Sequence, residues 1–164
     1  MLFRSLELCL YLPQQKAGTV RERTSFMTTV EPSTRPFKIL VAEDNLMNQR
    51  TTELLLKKLG HTSFCVDDGQ QAVEAWQQDS GYDLILMDIH MPVLGGIEAL
   101  EMIRSTESET GSAPVPIIAL TADVLKGTEE KLLNLGFDAY LTKPLRVNDL
   151  ADLLRSIPIR VTMS

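Results

Sequence analysis

Residues Leu84-Ile85-Leu86-Met87-Asp88-Ile89-His90-Met91-Pro92 read LILMDIHMP. Four consecutive apolar residues, without polar alternation, describe a short strand covered on both faces, as in a parallel sheet. Asp88 stands directly at the end of that strand. A buried carboxylate costs several kcal/mol unless a partner compensates it. The sequence must therefore supply a positive charge that meets Asp88.

Moving outward from this strand (residues 82–87), similar apolar runs recur at residues 37–42 (FKILVA), 61–66 (HTSFCV), 115–120 (VPIIAL) and 137–141. Each is followed by a stretch with helical character. The first helix carries Leu46, Leu54, Leu55, Leu56 and Leu59 on related faces and ends at Gly60, a natural C-cap. The second spans 70–78 through Ala72, Val73 and Trp76, after the strand stop Asp67-Asp68-Gly69. The third is expected over 96–105, followed by a flexible loop at 107–113 (ESETGSA). The fourth is expected over 124–135, with Gly127 inside it at about 1 kcal/mol relative to Ala. The last covers 147–157. Phe64, Trp76 and Tyr82 read as packing residues.

Five strands in strict alternation with helices, joined by right-handed crossovers, make an α/β fold. The expected form is a doubly wound, five-stranded parallel sheet with helices on both faces, of flavodoxin-like strand order 2-1-3-4-5. In such sheets function collects at the carboxyl ends of the strands. The first strand delivers Glu43 and Asp44 there, the third Asp88 and the fourth Thr121, while the fifth leads to Lys143-Pro144.

Taken singly, these residues have ordinary structural explanations. Glu43-Asp44-Asn45 suits a helix N-cap, Thr121 could cap the fourth helix, and Lys143-Pro144 could be a turn. If the first strand lies beside the third, together they bring three carboxylates to one pocket, where mutual repulsion calls for cations. Hard oxygen ligands favour Mg²⁺. Lys143 adds a fixed charge and Thr121 a hydroxyl donor. That is the equipment of phosphoryl transfer, with Asp88 as the carboxylate nucleophile.

The composition is consistent with this. The 164 residues suit one domain with tails, at 44% hydrophobic and 23% charged. The formal charge is −6, a poor match to nucleic-acid phosphates. Cys9 and Cys65 form no disulfide framework, so a reducing, cytoplasmic location is expected. The opening MLFRSLELCLYL is too short and too charged for a secretory segment, and no stretch reaches membrane-spanning length. Residues 1–36 read as a linker-like leader, 37–158 as the folded domain and 159–164 as a short tail.

ILVAEDN, LILMDIHMP, PIIALTAD and GFDAYLTKPL, in this order, resemble the receiver (response-regulator) domain of two-component phosphorelays. Asn48 after VAEDN, and LKG after TAD, are similar to receivers attached to hybrid histidine kinases. The resemblance implies Asp88 as phosphoacceptor, with Asp44 and Asp88 as direct Mg²⁺ ligands and Glu43 acting mostly through water. The backbone carbonyl of His90 would complete the ligand set. It implies Thr121 and Lys143 on phosphoryl oxygens, a cis peptide before Pro144, and Tyr140 as the aromatic that turns inward with Thr121.

The same resemblance implies a histidine kinase or histidine phosphotransfer protein as partner, and a chain that catalyses its own phosphorylation and dephosphorylation. A weak dimer through the face from the fourth to the fifth helix is a further expectation. Seven residues after Ile157 leave no room for an output domain, so a stand-alone receiver and the C-terminal piece of a hybrid kinase both fit. An unphosphorylated interaction module would have lost some of these residues. A phosphatase of the haloacid-dehalogenase type needs a second carboxylate where His90 stands. A flavodoxin would not set Glu43-Asp44 against a phosphate. The departure from the family pattern is Gly95-Gly96, where Asp often precedes the glycine; it predicts a slightly looser helix start.

Overall fold

The computed structural model describes residues 35–123 and 125–157. Its elements alternate as β1 (Lys38–Ala42), α1 (Leu46–Lys58), β2 (Thr62–Val66), α2 (Gly69–Gln78), β3 (Leu84–Asp88), α3 (Gly96–Thr110), β4 (Ile117–Thr121), α4 (Thr128–Leu135), β5 (Ala139–Thr142) and α5 (Val147–Ser156). The five strands form one sheet, all parallel, in the order β2-β1-β3-β4-β5. Among the described residues no helix is long and apolar enough to cross a membrane.

Two cores follow from the period-2 alternation along each strand. Ile39, Val41, Leu84, Leu86, Ile118 and Leu120 face α1 and α5, meeting Leu56, Leu150, Leu153 and Leu154. Leu40, Ala42, Ile85, Met87, Ile117 and Ala119 face α2, α3 and α4, meeting Val73, Leu100, Ile103 and Leu132. All five residues of β3 are buried, and so are all five of β4. This dictates their apolar sequences and makes β3, at the sheet centre, the least accessible strand to end in an acid.

Several boundaries differ from the sequence reading. Residues 107–110 continue α3 instead of opening a loop, because Glu107 is buried and occupied. It pairs with Arg104 at 2.8 Å and accepts the Val115 N–H at 2.5 Å, while Arg104 also reaches Asp138 at 2.7 Å. The helix ends at Gly111, whose φ of 67° favours glycine. The fourth helix begins at Thr128, not at 124, and Val124 lies outside the described residues. Gly127 is the N-cap at φ 95°, a conformation glycine adopts freely, so the expected helix-interior penalty does not arise. On α1 only Leu56 of the leucine set is fully buried. Leu55 and Leu59 pack partly, and Leu46 and Leu54 are exposed.

Tyr82 is core and Trp76 packs against it, whereas Phe64 on the edge strand is half exposed. Arg35, in the expected leader, forms an ion pair with Asp83; residues 1–34 of the leader and the tail lie outside the described residues.

The glycine pair before α3 has a steric reason that helix-cap statistics miss. Gly95 caps without a side-chain hydrogen bond. Gly96 lets the helix entry press against the backbone of β3: a Cβ there would fall on the Asp88 carbonyl oxygen. The Gly96 N–H also donates to the Ile89 carbonyl at 3.0 Å. Gly96→Ala is therefore expected to cost ~1–3 kcal/mol, the range for overpacking a tight site. Urea unfolding checks this, and an unchanged midpoint would show that the helix entry has room.

Candidate functional site

The parallel registers place the ends of the central strands side by side. Ala42 pairs with Met87, Asp88 with Leu120 and Thr121 with Thr142. The residues that follow Ala42 and Thr142 therefore converge on Asp88. Lys143 is fixed from behind, since its N–H donates to the Thr121 carbonyl at 2.8 Å. The Lys143-Pro144 peptide is cis.

The Lys143 ammonium lies 2.6 Å from Asp88 Oδ2 and 2.5 Å from Glu43 Oε2. This is the compensation that the sequence required. Glu43 is 1% exposed and Asp88 5%, so both charges stand nearly outside water. Burial alone would push the Lys143 pKa down. The hydrogen bonds and charges of Asp88 and Glu43 outweigh it, and the net shift is upward. The second Asp88 oxygen, Oδ1, accepts the His90 N–H at 3.1 Å. The His90 side chain itself is exposed.

Asp44, the third carboxylate, is exposed. One oxygen from each of Glu43, Asp44 and Asp88 lies within 4.8 Å of the others. Such an all-oxygen donor set, open to water on one side, fits a hard divalent cation that keeps part of its hydration. Protein groups meet both oxygens of Asp88 and both of Glu43, but only at Glu43 does a neutral side-chain donor hold one of them. Oε1 accepts the Asn48 side-chain amide at 2.9 Å and the Asn45 N–H at 3.3 Å.

Thr121 is buried and its hydroxyl accepts the Asp123 N–H at 3.0 Å, closing a local turn rather than capping α4. Tyr140 lies one strand away, half-buried, with its hydroxyl donating to Glu129 of α4 at 3.2 Å. Burial, then the Glu129 charge, raise its pKa. Every site residue read from the sequence thus lies at one edge of the sheet, with Tyr140 at its flank. Sequence reasoning passed over Gln49. Its buried amide donates to the Glu43 carbonyl and to Asp67 Oδ1, each at 2.7 Å. A polar residue one step from Asn48 on a helix face gives no periodic signal to find it by.

Residues 39–155 match the family model described as the response regulator receiver domain. Hybrid signal transduction histidine kinase I of Dictyostelium discoideum is 46% identical over 114 residues, covering 67% of this chain and 6% of that protein. Sensor protein GacS of Pseudomonas syringae is 38% identical over 122 residues, covering 74% of this chain and 13% of that protein. The chain therefore spans a small part of these curated relatives.

Among solved structures, the receiver domain of sensor histidine kinase PA1611 from Pseudomonas aeruginosa superposes with a TM-score of 0.64. It is 42% identical, the match covers 73% of this chain and 95% of that one, and it holds a magnesium ion in its active site cleft. The receiver domain of the Saccharomyces cerevisiae response regulator Ssk1, crystallised with the histidine phosphotransfer protein Ypd1, gives a TM-score of 0.68. It is 36% identical, with 73% and 86% of the two chains covered.

The upward shift of Lys143 carries a pH signature. A raised folded-state pKa means that the stabilisation is complete below the unfolded value and fades as pH climbs through the higher folded one. In metal-free protein, Lys143→Met is expected to lose ~3 kcal/mol near neutrality, the low end for breaking a buried pair. The gap between wild type and variant should stay level up to about pH 10, near the ordinary lysine pKa, and shrink only above it. Denaturant unfolding from pH 7 to 11 measures both. A gap that closes already below pH 9 would contradict the ion-pair assignment.

Proposed function

Because the chain belongs to the response regulator receiver family, we propose that it takes a phosphoryl group onto Asp88 from a histidine kinase or a histidine phosphotransfer protein. The single observation that carries this is the Lys143 bridge to Asp88 and Glu43, beside the exposed carboxylate of Asp44. In the reaction an Asp88 oxygen attacks phosphorus, the bond to the donor's leaving group breaks, and an acyl phosphate results. Lys143 pairs with the charge on the phosphoryl oxygens. The Thr121 hydroxyl, which accepts the Asp123 N–H, has a proton to offer to another of those oxygens.

Mg²⁺ held by Asp44, Asp88 and the His90 carbonyl, with Glu43 behind water, would supply charge neutralisation and orient the incoming phosphoryl oxygens. The magnesium in the Pseudomonas aeruginosa neighbour and the oxygen-only donor set here support that choice. Drawing Thr121 toward the phosphoryl group would vacate space for Tyr140, at the loss of its Glu129 hydrogen bond. This makes Tyr140 and Thr121 a two-state element biased by a local charge event. The response then spreads to the face from α4 to α5, through which we also infer a weak dimer, with the cytoplasm as the location.

Treatment with acetyl phosphate and Mg²⁺ should add one phosphoryl group by intact mass, removable with hydroxylamine. Asp88→Asn should abolish the gain, whereas Asp123→Asn and Asp149→Asn should not. Retention of the phosphoryl group in Asp88→Asn would sink the assignment.

Thr121→Ala should keep much of the phosphorylation but weaken its structural readout. Amide chemical shifts with and without beryllofluoride should move around Leu125, Tyr140 and Arg146 in the wild type and little in the variant. Shifts confined to the pocket in the wild type would indicate a passive phosphoryl carrier.

A further inference from the structure

Glu43 stands within reach of any cation that Asp44 and Asp88 hold, and protein donors already meet both of its oxygens, one of them a side-chain amide. The Gln49 amide pins its main-chain carbonyl at 2.7 Å, and the same amide is tied to Asp67 at 2.7 Å. Lys143 takes Oε2 at 2.5 Å, and Asn48 takes Oε1 at 2.9 Å. A carboxylate can only accept, so the Asn48 side chain must present its NH₂ rather than its oxygen. Of the partners of Oε1, Asn48 is the one a substitution can remove, since the other is the Asn45 backbone.

We infer that Asn48 is a positioning residue that keeps Glu43 out of direct metal coordination and so sets the preference of the site for Mg²⁺ over Ca²⁺. The inference rests on the metal-assisted reading of the same pocket. Mg²⁺ demands a strict octahedron and retains its waters, whereas Ca²⁺ accepts six to eight oxygens in flexible geometry. A third carboxylate free to turn inward therefore favours Ca²⁺ more than Mg²⁺. Asn48 blocks that turn by hydrogen bonding at the far oxygen. It stands on an exposed position of α1, so its replacement leaves the core untouched.

Calorimetric titration of the full chain with MgCl₂ and with CaCl₂ tests this. Asn48→Leu, branched at the same carbon but without a donor, should raise the Ca²⁺-to-Mg²⁺ affinity ratio on the order of tenfold, as one added charged ligand would. The effect should vanish when Glu43→Gln is present in both proteins compared, because no carboxylate then remains to turn. An unchanged ratio in Asn48→Leu, with its thermal midpoint preserved, overturns the inference while leaving the metal site intact. A ratio that rises equally in the Glu43→Gln background also overturns it, since the effect would not pass through Glu43. Wild-type protein that binds neither ion overturns the metal-assisted reading and this inference together.

Discussion

The ammonium of Lys143 holds the carboxyl edge of the sheet together. It meets two carboxylates that are almost fully buried, one after β1 and one at the end of β3. Remove that charge and two negative groups face each other in a medium that screens poorly, which the fold alone would not tolerate. Two requirements follow. Lys143 must be delivered from the next strand but one, so β4 has to separate β3 from β5, as the strand order does. Its backbone must also be fixed, and the Lys143 N–H bond to the Thr121 carbonyl does that.

The surrounding structure is shaped by the same edge. Gly96 brings the start of α3 against the Asp88 carbonyl, closing one wall of the pocket with backbone rather than side chain. Gly69 allows a similar close approach at the start of α2, where an added Cβ would come within 2.5 Å of the Leu94 carbonyl. At the opposite end of the sheet, the Arg104, Glu107 and Asp138 network ties α3 to the segments entering β4 and β5. One end is thus locked by an ionic network. The other holds an ion pair that a phosphoryl group and a cation can remodel.

The sheet order, the strands and the convergence of Glu43, Asp44, Asp88, Thr121 and Lys143 were legible in the sequence. Apolar runs of five or six residues punctuated by acids admit few other arrangements. The errors fell where a local rule was overridden by a contact distant in sequence. ESETGSA has loop composition, but burial of Glu107 against Arg104 and Val115 extends the helix through it. Gly127 fell within a stretch with a helical pattern, but the backbone there turns to φ 95° and the helix starts after it. The Gly95-Gly96 pair was read as a weak cap, whereas the demand at Gly96 is for space. Gln49 was invisible for a related reason: its partners lie at the ends of β1 and β2, which pattern reading treats separately.

The most direct measurement locates the modified residue chemically. After phosphodonor treatment in Mg²⁺, borohydride reduces an acyl phosphate to the corresponding alcohol, and peptide mass analysis identifies the side chain that carried it. The account predicts reduction at Asp88 alone, dependent on the phosphodonor and suppressed by Lys143→Met. Reduction at Asp44 or Glu43 with Asp88 unmodified would contradict it, because the group bridged to Lys143 at the end of β3 would then not be the nucleophile.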